Sequence, residues 1–288
     1  MIEPLNENDI NKYNVPAQHG ELSHLDLSEA EMTELKNMIM RENRFRSDYT
    51  TTSEGVPQTK QTVTAICKFI HKHHERETNQ TAVSENKFQR DGNQVNSGTN
   101  VGTSGGNGVG CTGCTDYALL YVGIARQLGL SATFLQTTEK DHMEQVTKGK
   151  ANEHTAAGHA FSETYVDGEW ILVDPTKSRI TKNYDPNSIH LAPFHNVAGK
   201  KDFIAYERGQ DYGQKQTVQE YVEKHNQTCI ALGVEKGMVS QEDQEKLNKK
   251  YKITYTPKTK NLPGTSGIID MGQEYQTKQN EHIASMSK

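Results

Sequence analysis

The stretch GVGCTGCTDYALLYVGIARQLG, residues 108–129, holds two of the four cysteines, Cys111 and Cys114, behind a run of glycines. Four chemistries use such residues. The pattern Gly108-x-Gly110-x-x-Gly113 is that of a dinucleotide-binding turn, but such a turn needs a buried strand directly before it, and the preceding twenty residues hold almost nothing apolar. Cys111-x-x-Cys114 supplies half of a zinc site and lacks a second pair: Cys67 and Cys229 are isolated, and HKHHERE (71–77) reads as a solvated helix face. A thioredoxin-like redox pair again expects a strand just before the motif. A cysteine nucleophile at a helix N-terminus needs no strand, because the free N–H groups and the positive end of the dipole stabilise a thiolate.

Such a nucleophile requires a histidine and a group that orients it. GHAFSETYVDGEWILVDPT (158–176) provides both. Asp167-Gly168 is a two-residue hairpin signal. With it as the turn, Val166 faces Glu169 and the pairing runs to Phe161 opposite Asp174. His159 then shares a sheet face with Asp174 as its diagonal neighbour, about 7–8 Å away at Cα. An imidazole and a carboxylate bridge that distance with a hydrogen bond.

The elements that must carry these groups follow from periodicity. Ala118, Tyr121, Val122 and Ala125 predict a helix over 114–128, with Gly129 as its stop. LSATFLQTT (130–138) predicts a strand. Ser28 to Glu31 has capping-box spacing and opens a helix over 28–42, and Val63, Ile66, Cys67 and Ile70 mark another, with Cys67 as a small buried residue. Residues 77–110 read as a flexible Gly/Ser/Asn-rich loop, and 139–156 as a polar connection. Two amphipathic helices are expected at 217–231 and 240–251. The chain therefore divides into a polar N-terminal extension with one helix (1–56), a catalytic domain (57–205), a helical region (206–255) and a flexible tail (256–288).

Composition narrows the partners. Only 33% of the 288 residues are hydrophobic, the net charge is −5, and basic residues are dispersed. No concentrated basic surface speaks for nucleic acid. Neither a signal peptide nor a membrane-spanning run is visible, and four cysteines in a chain this long are no disulfide framework, so a reducing, cytoplasmic compartment is the default. Export by a signal-less route stays open.

GCTDYALLYVGIARQLGLSAT followed by GHAFSETYVDGEWILVDPT resembles the catalytic core of the transglutaminase-like superfamily. The matching positions are Cys114, Asp116, Tyr117 and Ala118; Arg126 and Gly129; His159, Ala160, Phe161 and Glu163; and Trp170, Asp174, Pro175 and Thr176. The resemblance implies an α+β, papain-like fold, with the nucleophile helix packed on an antiparallel sheet; the flanking helices read from periodicity make helical N- and C-terminal extensions of it. It implies Cys114 as nucleophile, His159 as acid and base, and Asp174 as the orienting carboxylate. The substrate would be a protein or peptide amide, attacked through a thioester by a transglutaminase, glutamine deamidase or cysteine protease. The Cys114 backbone N–H would form part of the oxyanion hole, with Asn107 as the candidate second donor. Cys111 is either a loop thiol or a reversible disulfide partner of Cys114. This chemistry requires neither metal nor organic cofactor. Read singly, Trp170, Phe161 and Tyr117 are core residues, and Asp116 and Glu163 are structural hydrogen-bonders. Two other classes remain open: a non-catalytic interaction module that keeps the fold, and a signal-less secreted effector or toxin.

Overall fold

The computed structural model describes residues 5–14, 27–73, 89–90, 94–95, 114–153, 155–181, 184–185, 190–196, 199–209 and 218–252. At its centre lies a helix with almost no solvent-facing side. Helix α4 (Cys114–Gln127) follows α1 (Asn8–Lys12), α2 (Glu29–Glu42) and α3 (Lys60–His73). Every described side chain from Tyr117 to Arg126 is buried, as expected of a helix apolar all round. Its end is a Schellman motif: Gly129 has φ +77°, Leu130 N–H donates to Ala125 O at 2.9 Å and Gly129 N–H to Arg126 O at 3.0 Å.

The strands are β3 (Ala132–Glu139), β4 (Gly158–Val166), β5 (Glu169–Asp174), β6 (Arg179–Ile180), β7 (His190–Asn196) and β8 (Gly199–Arg208), after a two-residue ribbon of β1 (Gln89–Arg90) and β2 (Gln94–Val95). Strands β3 to β8 form one antiparallel sheet in the order β6-β5-β4-β3-β8-β7. Helices α5 (Lys140–Thr147), α6 (Val218–Glu235) and α7 (Gln241–Lys250) complete the described chain. None of the described helices is long and apolar enough to cross a membrane.

Alternation along β4 divides the interior. Ala160 and Val166 join the core of α3 and α4, where Ser162 Oγ donates to Ala118 O at 3.1 Å and Tyr121 Oη lies 2.9 Å from Thr164 Oγ1. Phe161 packs with Leu135, Leu172, Phe203 and Ala205 in a second cluster, because successive strand residues point to opposite faces. A third cluster joins Met143 and Val146 of α5 to Ile204, Cys229, Ile230 and Tyr251.

The β4–β5 hairpin has the expected register, from Val166 opposite Glu169 to Ser162 opposite Val173. Asp167 and Gly168 have φ 52° and 79°, the two left-handed residues of a type I′ turn. The Asp167 carboxylate accepts from Arg46 Nη1 at 2.9 Å and from Lys60 N–H at 3.0 Å, which ties the turn to the start of α3. The capping box at Ser28 is formed in full, and Cys67 is buried within α3.

Three expectations are corrected. Residues 5–14, within the segment read as polar extension, form α1 and bury Leu5 and Tyr13 against Trp170. The connection 139–156 contains helix α5, whose Met143 and Val146 supply just enough apolar surface to dock. Strands β7 and β8 extend the sheet where no element was expected. The loop 77–110, apart from the ribbon, and the tail 256–288 lie outside the described residues.

Candidate active site

Cys114 is the first residue of α4 and is half-buried. His159 stands near the start of β4, where Thr137 brackets its backbone: Thr137 Oγ1 donates to His159 O at 2.8 Å and accepts from His159 N–H at 3.3 Å. The ring meets Phe161 edge-on at 4.6 Å and Phe203 at 6.0 Å between centroids. Apolar walls on two sides restrict its rotation.

Asp174 ends β5 and is 3% exposed. Its two oxygens are divided. Oδ1 accepts from Thr176 N–H at 3.1 Å and caps the short turn Pro175–Lys177, and Oδ2 lies 3.1 Å from His159 Nε2. The second contact is an ion-pair approach, bent away from a well-aligned hydrogen bond.

The Cys114 thiol hydrogen-bonds His159 and accepts from the Ala160 backbone N–H. Burial pushes the thiol up, but the imidazolium charge of His159 and these two bonds carry it below its ordinary value, against a smaller opposing effect of Asp174. Burial pushes His159 down, yet the Cys114 charge, the close contacts with Asp174 and Cys114, and the Asp174 charge raise it to about 10. Each partner shifts toward its charged form, the condition for a thiolate–imidazolium pair.

The three residues expected to form the site are thus brought together. Cys111 and Asn107 lie outside the described residues, as does the side chain of Asp116. Glu163 is a structural hydrogen-bonder: fully buried, it accepts from Arg208 Nε at 2.6 Å and Nη2 at 2.8 Å, and from the Tyr184 hydroxyl. Arg126 donates from Nε to Ala132 O at 2.8 Å and so fixes the turn out of α4. Trp170 packs with Leu5 and Tyr13.

Sequence reasoning missed Thr137, Phe203 and His71. His71 was expected on a solvated helix face, but its Nε2 lies 2.8 Å from Pro175 O and its ring 5.3 Å from Tyr117. It therefore joins α3 to the turn that holds Asp174. A signal existed: His71 falls four residues after Cys67, on the face of α3 that is buried. His73 pairs with Glu34 at the surface.

The family model of the transglutaminase-like superfamily matches residues 49–175. That segment runs from before α3 to just past Asp174. A solved structure described as a "Putative Cysteine Protease" from Cytophaga hutchinsonii aligns at 14% identity over 70% of this chain, with a TM-score of 0.30. The aligned part spans 64% of that protein's length. No curated protein matches the chain.

Proposed function

From a chain whose residues 49–175 form a transglutaminase-like domain, we propose that Cys114, His159 and Asp174 carry out thiol-dependent acyl transfer on protein or peptide amides. The observation that supports this most is geometric: Cys114 opens α4 beside His159, and the buried Asp174 carboxylate lies 3.1 Å from His159 Nε2, an arrangement that lowers the thiol and raises the imidazole.

The Cys114 thiolate attacks the amide carbonyl and forms a C–S bond while negative charge develops on oxygen. The backbone N–H groups at the start of α4 face that charge, Cys114's own among them. His159 donates its proton to the leaving nitrogen as the C–N bond breaks, which releases an amine or ammonia and leaves a thioester. With Nε2 turned to Asp174, Nδ1 is the nitrogen left to serve the sulfur. Neutral His159 then takes a proton from water or from an acceptor amine as that nucleophile attacks the thioester. Collapse of the adduct returns the thiolate–imidazolium pair. Asp174 keeps the ring in the productive tautomer and stabilises its cation.

Water as acceptor gives hydrolysis or deamidation, and an amine gives a cross-link. The acyl-enzyme is common to all, so the test reads each branch. A glutamine-containing protein substrate is incubated with wild type or Cys114→Ala, with and without a primary amine, and intact masses are compared. Wild type alone is expected to add amine, to convert amide to acid with a gain of about one mass unit, or to cleave the chain; the acyl-enzyme step implies one of these outcomes. Identical substrate masses with both proteins across a broad panel would overturn the reading.

A further inference from the structure

A second group of histidine and cysteine side chains meets away from Cys114. His142 comes from α5, and His225 and Cys229 from α6, where spacing of four residues puts both on one helix face. One donor atom from each lies within 4.8 Å of the other two, and all three residues are buried. We propose that His142, His225 and Cys229 bind a zinc-class transition-metal ion that holds α5 and α6 against the strand leading to His159.

The donor set points to the class of ion. Two imidazoles and a thiol suit zinc and its soft neighbours, whereas magnesium and calcium require oxygen. Bond lengths of about 2.0–2.1 Å to nitrogen and about 2.3 Å to sulfur put tetrahedral donors roughly 3.5 Å apart. Three protein ligands leave one position for water.

The outer contacts are those a metal-bound imidazole uses, with the non-ligating N–H donated to a fixed acceptor. Asn226 Nδ2 donates to Thr155 O at 3.1 Å, so its Oδ1 is the atom 3.0 Å from His142 Nε2. His142 Nε2 therefore carries the proton and Nδ1 keeps its lone pair. On the other ring, His225 Nδ1 lies 3.0 Å from the Tyr206 hydroxyl. Donation there makes Nε2 the ligating atom. Thr138 Oγ1 stands 3.3 Å from Cys229 Sγ.

Protonation is compatible with binding. An imidazole is ordinarily neutral above about pH 6.5, so both rings offer a lone pair at neutral pH. The Cys229 thiol gives its proton to solvent when the ion binds. Close packing places the group next to the catalytic strand: a Cβ on Gly158 would come 3.1 Å from His225 Cε1 and 2.1 Å from Thr137 O. Gly158 precedes His159. The ion takes no part in acyl transfer.

Cobalt titration of the full chain, stripped of metal with a chelator, tests the proposal. One ion per chain is expected, with a sulfur-to-cobalt charge-transfer band in the near ultraviolet and tetrahedral visible bands that zinc abolishes. The sulfur band should persist in Cys114→Ala and vanish in Cys229→Ser. Circular dichroism shows whether Cys229→Ser is folded. Should it not fold, His142→Gln carries the test, with cobalt affinity lowered at least about tenfold at an intact sulfur. A wild type without a sulfur–cobalt band, a band kept in folded Cys229→Ser or lost in Cys114→Ala, or an unchanged affinity in His142→Gln would overturn the assignment.

Discussion

Among the described residues, two places bring cysteine and histidine together, and they make opposite use of the same chemistry. At Cys114 and His159 the thiol falls and the imidazole rises toward about 10. At Cys229 and His225 the thiol rises to about 12 and the imidazole falls to about 3. Burial acts in the same direction on like groups in both, against charge. Two features separate them. Cys114 begins its helix whereas Cys229 lies inside one, and Asp174 supplies His159 with a buried negative partner whereas His225 faces a tyrosine hydroxyl and another imidazole. Neighbours, rather than residue type, decide whether a Cys–His group becomes an ion pair or stays neutral.

The sharpest way to break this contrast is to neutralise the carboxylate. Asp174→Asn keeps the size of the side chain and removes its charge, so kcat/KM should fall on the order of 10²–10⁴-fold. A purely structural Asp174 would leave the pH profile in place. We expect instead that the alkaline limb of kcat/KM, set near pH 10 by loss of the His159 proton in wild type, moves down toward the ordinary imidazole range. The sign follows from the raised value: imidazolium is present below about pH 10 and lost above it. The acid limb reports protonation of the Cys114 thiolate and should lie below the ordinary thiol range, since the thiol is lowered. A profile that does not move in the variant would remove Asp174 from its orienting role.

Alkylation compares three thiols in one experiment. Cys114 is half-buried and lowered, whereas Cys67 and Cys229 are buried and raised. With iodoacetamide at pH 6.5, Cys114 should react at least about 100-fold faster than either, because the thiolate is the reactive form. Peptide mapping by mass spectrometry gives the three rates. Equal rates would mean that the ion pair at Cys114 does not exist in solution, and the non-catalytic reading of the fold would then be preferred.

How much of this is legible in the sequence follows its local rules. The type I′ turn at Asp167-Gly168 sets the hairpin register, and counting back from that turn is enough to put His159 on the face of Asp174. Helix α4 is readable because its apolar period is strong and a glycine closes it. Strand β7 is not: Pro193 interrupts HLAPFHN, and the ladder shifts register there, between Leu191 and Phe194. Helix α5 escapes notice because KDHMEQVT offers only Met143 and Val146 as apolar anchors, a pattern too short for periodicity to separate from a loop. The neutral group is illegible for another reason. His142 and His225 are 83 positions apart, and only tertiary packing of α5 on α6 brings them together.

The smallest effect tests whether the neutral group depends on its polar contacts as the charged one does. Thr138 Oγ1 lies 3.3 Å from Cys229 Sγ and donates to Ala157 O at 3.3 Å, in a strand position wholly buried between β4 and β8. Thr138→Val keeps the shape and the β-branching while it removes the hydroxyl. The groups left behind are a carbonyl and a thiol, both neutral, and a net hydrogen bond between neutral groups is worth about 0.5–1.5 kcal/mol. In a chain of this size that corresponds to a fall of roughly 2 °C in Tm per kcal/mol, measured by calorimetry on the metal-free protein. A buried ion pair that loses one partner costs about 3–5 kcal/mol, because the other charge is stranded. A loss of that size in Thr138→Val would mean that charge resides at Cys229 or its neighbours, and the division of the molecule into one charged and one neutral Cys–His group would fail.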